Sequence, residues 1–400
     1  MPAVPGTPDQ AGHSPWLIAN LLAQISFGLL AMTLCLPSMQ EWGDIFDTRQ
    51  ADVQLTFSGY VMAYGALQLV YGPLSDRHGR KPILMIGLVV AGLASVMAAL
   101  ATDIATLTAA RVLQGAGSAA SMVVGRSMVQ DLFTGAQRTR VMAYIGMALG
   151  MCPPLATLIG GQVHVRWGWQ LNFVLLAVLA ALLLVAAGWG LPRVAKPAPA
   201  PGHWLRAMLS AYARLLREPR FLLYVAILAA TTATFYAFLA GAPIVLKGYG
   251  IGPDGIGWFI MAVPISYIAG NFMTSRLIQQ MGESRVMAWG QALTVGGLLM
   301  MLALALGGVQ TALAVALPLL LLGLGHGLIN PPALAGTVSV LPALAGSAAA
   351  VAGLMQQLTG ATGGYLVGLV PHEGAVNLGW MMLAFTLVAV AAQWTLRQQR

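Results

Sequence analysis

An all-α membrane protein of twelve transmembrane helices, in two six-helix bundles with both termini in the cytoplasm, is the fold class the sequence predicts. Three observations predict it. Of the 400 residues 58% are hydrophobic and only 8% charged, whereas a water-exposed surface needs about a quarter of its residues charged. The apolar residues come in runs such as Trp16 to Pro37, Ile83 to Ala101 and Met381 to Trp394, close to the roughly twenty residues a helix needs to cross hydrocarbon. The basic residues fall in alternate loops.

Arg77, Arg80, Lys81, Arg138, Arg140, Arg193, Lys196, Arg206, Arg214, Arg217, Arg276, Arg285, Arg397 and Arg400 occupy the even-numbered loops and the C-terminus. The odd loops carry Glu41, Asp44, Asp47, Asp52, Asp103 and Asp254, with only Arg49, Arg166 and Lys247 against them. Such an asymmetry places the basic side in the cytoplasm. The net charge of +8 is therefore topological, and nucleic acid is not a partner: no aromatic stacking platform accompanies the basic residues. Cys35 and Cys152 lie in apolar stretches as packing residues, which leaves no disulfide framework and no metal site. No positive residue precedes the first span and no small-residue cleavage motif follows it, so that span stays as a helix.

Runs and breakers place helices near 16–38, 53–74, 82–101, 106–129, 140–161, 171–191, 221–246, 255–278, 286–307, 311–331, 344–368 and 377–396. Residues 192–220 interrupt the series. They open on a Pro-rich stretch and continue as a basic amphipathic segment, Trp204 to Arg217, and read as a cytoplasmic linker between an N-terminal bundle, 1–191, and a C-terminal bundle, 221–400. Shifting the chain by 203 residues superposes every span of the first half on one of the second, and lays Gly150 on Gly353 and Gly160-Gly161 on Gly363-Gly364. Two parallel repeats of this kind form one of the known transporter architectures, with a substrate site between them near mid-membrane.

The sharpest local signal is Gly72-Pro73-Leu74-Ser75-Asp76-Arg77-His78-Gly79-Arg80-Lys81-Pro82, a short charged turn between the second and third spans. Gly72 permits close approach of a neighbouring helix, Asp76 is available to cap a helix or face its dipole, and Gly79 allows a tight turn. A plain hairpin whose cations fix topology is the alternative reading. Arg111 and Gln114 lie in the fourth span, where a charge marks either a functional site or a side chain snorkelling to the nearby surface. Arg126 and Asp131 stand nearer the basic face, as coupling groups or as partners of loop charges. In the fifth span Gly146 and Gly150 form a small-xxx-small face, Pro153-Pro154 breaks backbone bonding, and Gly160-Gly161 allows a second close approach.

The charged loop resembles the signature loop of the major facilitator superfamily. The span before it, from Val53-Gln54-Leu55-Thr56 to Gln68-Leu69-Val70-Tyr71-Gly72-Pro73, resembles the Bcr/CflA branch of drug:proton antiporters. Further matches are Arg111-Val-Leu-Gln114-Gly115, the stretch from Arg126 to Asp131-Leu-Phe, the array Gly150, Pro153, Pro154, Gly160, Gly161, and Trp169-Gln-Leu-Asn-Phe173, where Gln170 stands in place of the branch's arginine. In topology the resemblance covers the whole chain. It implies a major facilitator fold in a bacterial inner membrane, no cofactor, and a conformational latch at Gly72, Asp76, Arg77, Gly79 and Arg80. It also implies proton coupling through Arg111 and Gln114, and an antiporter hinge along the fifth span. The second-half counterpart of the latch, Ser275-Arg276 to Gly282-Glu283-Ser284-Arg285, keeps the glycine and lacks the aspartate.

The chain departs from that branch in the first span, which reads Thr33-Leu-Cys-Leu-Pro37 where members carry an Asp-Met-Tyr-Leu-Pro pattern. No other carboxylate lies at mid-membrane. His326, within Gly323-Leu-Gly-His326-Gly, and Asp52 or Asp131 at span ends are the remaining groups for proton coupling; a lone histidine hydrogen-bonded to a neighbouring helix is the alternative for His326. Thr33, Tyr60, Tyr64, Gln68, Phe235, Tyr236, Tyr267, Asn271, Asn330, Gln356 and Gln357 are candidates to line an aromatic, weakly polar cavity, each with interhelical packing as the other reading. The 21 methionines fit adaptable packing.

Together these predict a secondary transporter that exports small, moderately hydrophobic drugs by alternating access in exchange for protons, working as a monomer in the lipid bilayer. A carrier for an amino acid or sugar is the first alternative. A membrane-embedded enzyme or receptor is another, but no Ser/His, paired-Asp or metal-ligand constellation is present at one face, and the chain is read as a non-enzyme. A channel would need a selectivity filter or charged ring, and neither is seen.

Overall fold

The computed structural model of the chain describes residues 15–192, 204–371 and 374–399. The Pro-rich part of the linker, including Arg193 and Lys196, and the terminal Arg400 lie outside the described residues. Fifteen α-helices and one 3-10 helix, with no strand among the described residues, follow in order. They are α1 (Pro15–Thr33), α2 (Met39–Ile45), α3 (Gln50–His78), α4 (Arg80–Ala99), α5 (Ile104–Leu132), α6 (Gly135–Trp167), α7 (Gln170–Gly190), α8 (Trp204–Leu215), α9 (Pro219–Gly248), α10 (Pro253–Ile260), α11 (Ala262–Met281), α12 (Glu283–Leu306), α13 (Ala312–Ser339), α14 (Ala345–Leu369) and α15 (Ala375–Gln398).

Nine of the described stretches are long and apolar enough to cross a membrane: α1, α4, most of α6, α7, α9, α10 with α11, α12, α13 and α15. The helices α3, α5 and α14 have 29, 29 and 25 residues, ample for the same span at about 1.5 Å per residue. They are less apolar because they carry Gln54, Gln68, Arg111, Gln114, Gln356 and Gln357. These polar-bearing helices are packed inward, α3 lying between α5 and α14.

Prolines set the departures from the predicted spans. The first span ends at Thr33, and the chain turns through residues 34–38 before α2 begins. Pro37 has no N–H to continue the ladder, and the turn closes instead through Leu36 N–H to Thr33 O, 3.2 Å, and Met39 N–H to Leu36 O, 3.3 Å. The eighth span is broken between α10 and α11, since Pro264 cannot donate to Ile260. The tenth span runs on past its predicted end at 331 to Ser339, straight through Pro331-Pro332. The carbonyl of Gly327, which loses its donor at Pro331, accepts the Thr274 hydroxyl of α11 at 2.9 Å; neighbouring helices repair freed backbone groups within membranes in this way. The amphipathic segment of the linker is α8, as the spacing of its apolar residues predicts.

Asp103 caps α5: its carboxylate accepts the Thr106 N–H at 2.8 Å and the Thr106 hydroxyl at 2.7 Å. The Thr106 backbone bond holds the Asp103 carboxyl below its ordinary 3.8. A depressed acid stabilises the fold above its unfolded pKa, and that contribution is lost as pH falls through the folded value. Asp103→Ala is therefore expected to lower the thermal midpoint at neutral pH, and the gap from the native chain should close only when the pH drops below about 4. A gap that stays constant down to pH 3 would refute the cap.

Candidate functional site

The fourth span places Arg111 seven residues inside α5, and the side chain is fully buried. Its guanidinium donates to the carbonyls of Ala31 at 2.8 Å and Met32 at 3.3 Å, and to Gln114 Oε1 at 2.5 Å. The Tyr60 ring lies 4.3 Å beneath it and the Phe173 ring 5.9 Å away. Snorkelling, the alternative reading of this arginine, is thereby overturned. Ala31 and Met32 belong to the last turn of α1, whose carbonyls have no helical donors ahead of them. Arg111 thus caps the C-terminus of α1, and its charge faces the negative end of that helix dipole. This is how a cation is held here with no carboxylate beside it. Gln114 extends the network by donating to Ser95 Oγ at 2.7 Å, and Tyr60 donates to Gly28 O at 2.7 Å.

Thr33, which stands in place of the family's acid, is fully buried one residue beyond the Met32 carbonyl and bonds back to Leu29 O at 2.8 Å. Tyr60 and Tyr64 stack with centroids 6.0 Å apart and are buried in the packing of α1, α3 and α5. Gln68, Phe235, Tyr267, Asn271, Asn330, Gln356 and Gln357 are half-buried. Tyr236 donates to Gln357 Oε1 at 3.1 Å and packs edge-on against Phe57 of α3 at 5.8 Å. Gln356 donates to Thr232 at 3.1 Å. Gly65 of α3 brings that helix directly onto the Gln357 side chain, so the α9–α14 aromatic and amide groups meet α3 where the two runs of the chain join.

His326 is buried, and no hydrogen bond to it is present among the described residues, so the expected link to a neighbouring helix is absent. The glycines around it have their own cause. Gly323 and Gly327 lie against α11 backbone at Val263 and Tyr267, and Gly325 against α12 at Gly290 and Thr294. Any side chain at these three positions would collide.

In the charged loop, Gly79 has φ +96°, a conformation that favours glycine. Arg80 gathers the turn: it pairs with Asp76, donates to Ser75 Oγ at 2.8 Å, and reaches Asp131 of α5 at 3.0 Å. Asp131 is thus a partner of a loop charge, while Arg126 is exposed. Arg77 is also exposed. Asp76 lies in the last turn of α3, paired with Arg80 at the start of α4. At Gly72 an added Cβ would meet only Val123, at 3.9 Å, so the close approach expected there is absent. Lys81 caps α7, donating to Gly188 O at 2.6 Å and Leu191 O at 2.9 Å.

Along α6 the expectations divide. Gly146 has open space beside it, and Gly150 faces Ile268 of α11 at 3.2 Å, so no small-residue seam forms between them. Gly160 and Gly161 are in backbone contact, with Leu34 and with Pro253 of α10 respectively. The helix continues through Pro153 and Pro154.

Sequence reasoning missed the device that closes one end of the molecule. The short helix α2 forms a strap there. Gln40 donates to Pro243 O of α9 at 2.5 Å, and Lys247 of α9 donates to Gln40 O and to Asp44, both at 2.9 Å. Glu41 anchors the strap to the buried His164 of α6 at 3.0 Å. At the same end Gln54 donates to Ala240 O at 3.2 Å, Gly257 lies against Leu158, and Gly368 against Ala51. At the opposite end Gly146, Gly346 and Gly353 have nothing within 4 Å. The only sequence signal for the strap was the presence of acids and one lysine in odd loops.

The model of the Major Facilitator Superfamily matches residues 16–364. Multidrug resistance protein D of Escherichia coli (strain K12) is 28% identical over 380 residues, covering 94% of this chain and 94% of that one. The chloramphenicol resistance protein of Pseudomonas aeruginosa is 27% identical, covering 93% and 88%. Among solved structures, the D-xylose-proton symporter superposes with a TM-score of 0.76 at 14% identity, covering 95% of this chain and 98% of that one. A bacterial homologue of the human lysosomal transporter Spinster, inward-facing and unoccupied, gives 0.75 at 13% identity, covering 98% and 97%. With the family model matched over most of its length, and with helices packed around a buried arginine and closed at one end, the chain belongs to the Major Facilitator Superfamily.

Proposed function

We propose that this chain is a secondary transporter exporting small, moderately hydrophobic drugs from the cytoplasm in exchange for protons. One observation carries the reading: the first and second runs of helices are strapped together at one end, above a junction of half-buried aromatic and amide side chains. Such a molecule exposes its central site to one side at a time. The names of the relatives, resistance proteins for several drugs and for chloramphenicol, support drugs as the class of substrate. Few fixed charges line the junction, which fits a substrate selected by shape and apolar contact.

In this reading twelve spans form two six-helix bundles, 1–191 and 221–400, joined by the linker 192–220. The helices α10 and α11 count as one span, and α2 and α8 do not cross. Positive-inside asymmetry puts both termini in the cytoplasm of an inner-membrane protein and the strapped end on the far side, so the conformation is read as inward-facing. Arg80, with Asp76 and Asp131, acts as the latch, and the Gly150-to-Gly161 stretch of α6 as the hinge and seal. The Arg111–Gln114–Ser95 network carries coupling, with His326 as a further candidate group within the helices. One chain holds the whole site, and a monomer suffices. A carrier for a metabolite is favoured by one observation, Thr33 where the branch has its acid.

Transport in inverted membrane vesicles separates these readings. A labelled amphenicol, quinolone or cationic dye should accumulate when a pH gradient is imposed and leak out when an ionophore collapses it. Accumulation indifferent to the gradient would reject proton exchange. No accumulation of any such compound, beside uptake of an amino acid or sugar, would establish the metabolite carrier.

A further inference from the structure

We infer that the groove between α12 and α15 is a binding site for an anionic, hydroxyl-bearing glycerophospholipid such as phosphatidylglycerol. The groove holds about 290 Å³ at the end of the molecule where α12 begins and α15 ends. It lies on the outer face of the helix pair, away from the junction with α3, and it depends on the chain residing in a bilayer but not on what the chain transports.

Two independent features of the groove point to a lipid. Val295 of α12 and Val390 of α15 line it together with Ala288 and Ala292, and its rim carries Trp394, 64% exposed. A half-exposed tryptophan near a helix end is the ordinary anchor of a membrane interface. Two buried amides line the same groove with unused hydrogen-bonding atoms. Gln291 is 6% exposed and its Nε2 has no partner, while Gln393 is 3% exposed and its Oε1 has none. An unpaired amide beside hydrocarbon is costly, and a polar ligand atom at each relieves that cost.

The depths of these groups match a glycerophospholipid. Arg397 marks the mouth: its Nε donates to Ser284 Oγ at 3.0 Å and its Nη2 to Ser284 O at 2.8 Å. This bracing leaves the Nη1 edge of a fixed, exposed guanidinium for a phosphodiester, which accepts in the plane of the fork. Gln393 lies one turn deeper on α15, about 6 Å at the usual rise, and Gln291 two turns inside Ser284 on α12, about 10 Å. A headgroup hydroxyl donates to Gln393 Oε1, Gln291 Nε2 donates to an ester carbonyl, and one acyl chain follows Val295 and Val390. Basic pockets between helices at a cytoplasmic membrane face bind acidic lipid headgroups in the same manner. Arg285 adds a second exposed cation at this end, beside the acid Glu283.

Native mass spectrometry of the full chain, released from nanodiscs containing equal phosphatidylglycerol and phosphatidylcholine, tests the site. Retained adducts should be phosphatidylglycerol, and Arg397→Gln should cut their abundance about fivefold, the effect of one basic residue at a membrane surface. The double variant Gln291→Leu, Gln393→Leu should also lose the adduct, with an unchanged or higher thermal midpoint in phosphatidylcholine alone. Equal retention of the two lipids, or full retention by both variants, would overturn the site. So would equal protection of the native chain by glycerol 3-phosphate, which lacks the chains and would mark a free-anion site instead.

Discussion

Arg111→Ala is expected to reduce transport at least about tenfold and to destabilise the protein by about 2–4 kcal/mol. The side chain is fully buried and satisfies three acceptors at once, two of them carbonyls that end α1. Bonds from a charged donor contribute about 1.5–3 kcal/mol each, and neutral interhelical bonds in membranes average only about 0.6, so the sum lies between those scales. Truncation leaves the last turn of α1 uncapped in a site that water does not reach, and removes the cation from the Tyr60 face. Arg111→Lys keeps the charge but offers a point rather than a fork, and should retain stability better than transport. Vesicle uptake together with a thermal midpoint in detergent reads both quantities. Uptake by the alanine variant within twofold of the native chain would remove Arg111 from any coupling network.

The neighbouring glycines of α6 should give opposite results when enlarged. At Gly160 a Cβ would overlap the carbonyl of Leu34, in the turn that follows α1; at Gly161 it would overlap the carbonyl of Pro253, at the start of α10. The first contact lies within the N-terminal run of helices, and the second joins that run to the C-terminal one. Gly160→Val therefore overpacks the fold, at a cost of about 1–3 kcal/mol. Gly161→Val leaves an escape: the two runs part at this end, and the clash disappears. The expected outcome is a near-native thermal midpoint with transport lost, because one conformation of the cycle can no longer seal. Spin labels at Asp47 and Gly250, on either side of the strap, should move apart in Gly161→Val and stay at their native separation in Gly160→Val. An unchanged distance in Gly161→Val would show that the seal does not depend on this contact.

Hydrophobic runs, breakers and loop charges are local properties, and they were legible. Most of the long helices lie within a few residues of their predicted positions, with the end of α1, both ends of α6 and the end of α13 further off. The amphipathic linker helix is present, and the tight turn expected at Gly79 is there, with a positive φ. Prolines misled where their effect depends on neighbours. Pro37 and Pro264 ended helices, whereas Pro331 did not, because Thr274 supplies the donor for the carbonyl it strands. No reading of one segment could weigh that compensation.

The candidate site was legible as a list of residue types but not as an arrangement. That a charge in the fourth span matters followed from the cost of placing it there. That it caps α1 is a contact across 80 residues, and the opposite reading, snorkelling, was equally compatible with its distance from a helix end. The strap is the extreme case: Glu41 meets His164 across 123 residues, and Gln40 meets Pro243 across 203.

By itself, then, the sequence determined the solvent of this protein, the order and approximate extent of its long helices and the sign of each face, because hydrophobicity, periodicity and charge act residue by residue along the chain. Only the tertiary structure decided which carbonyls the buried cation satisfies, which glycines are true contacts and which end is closed. Those outcomes depend on backbone-to-backbone distances between helices far apart in the chain, where a displacement of one ångström makes or removes a hydrogen bond or a steric overlap.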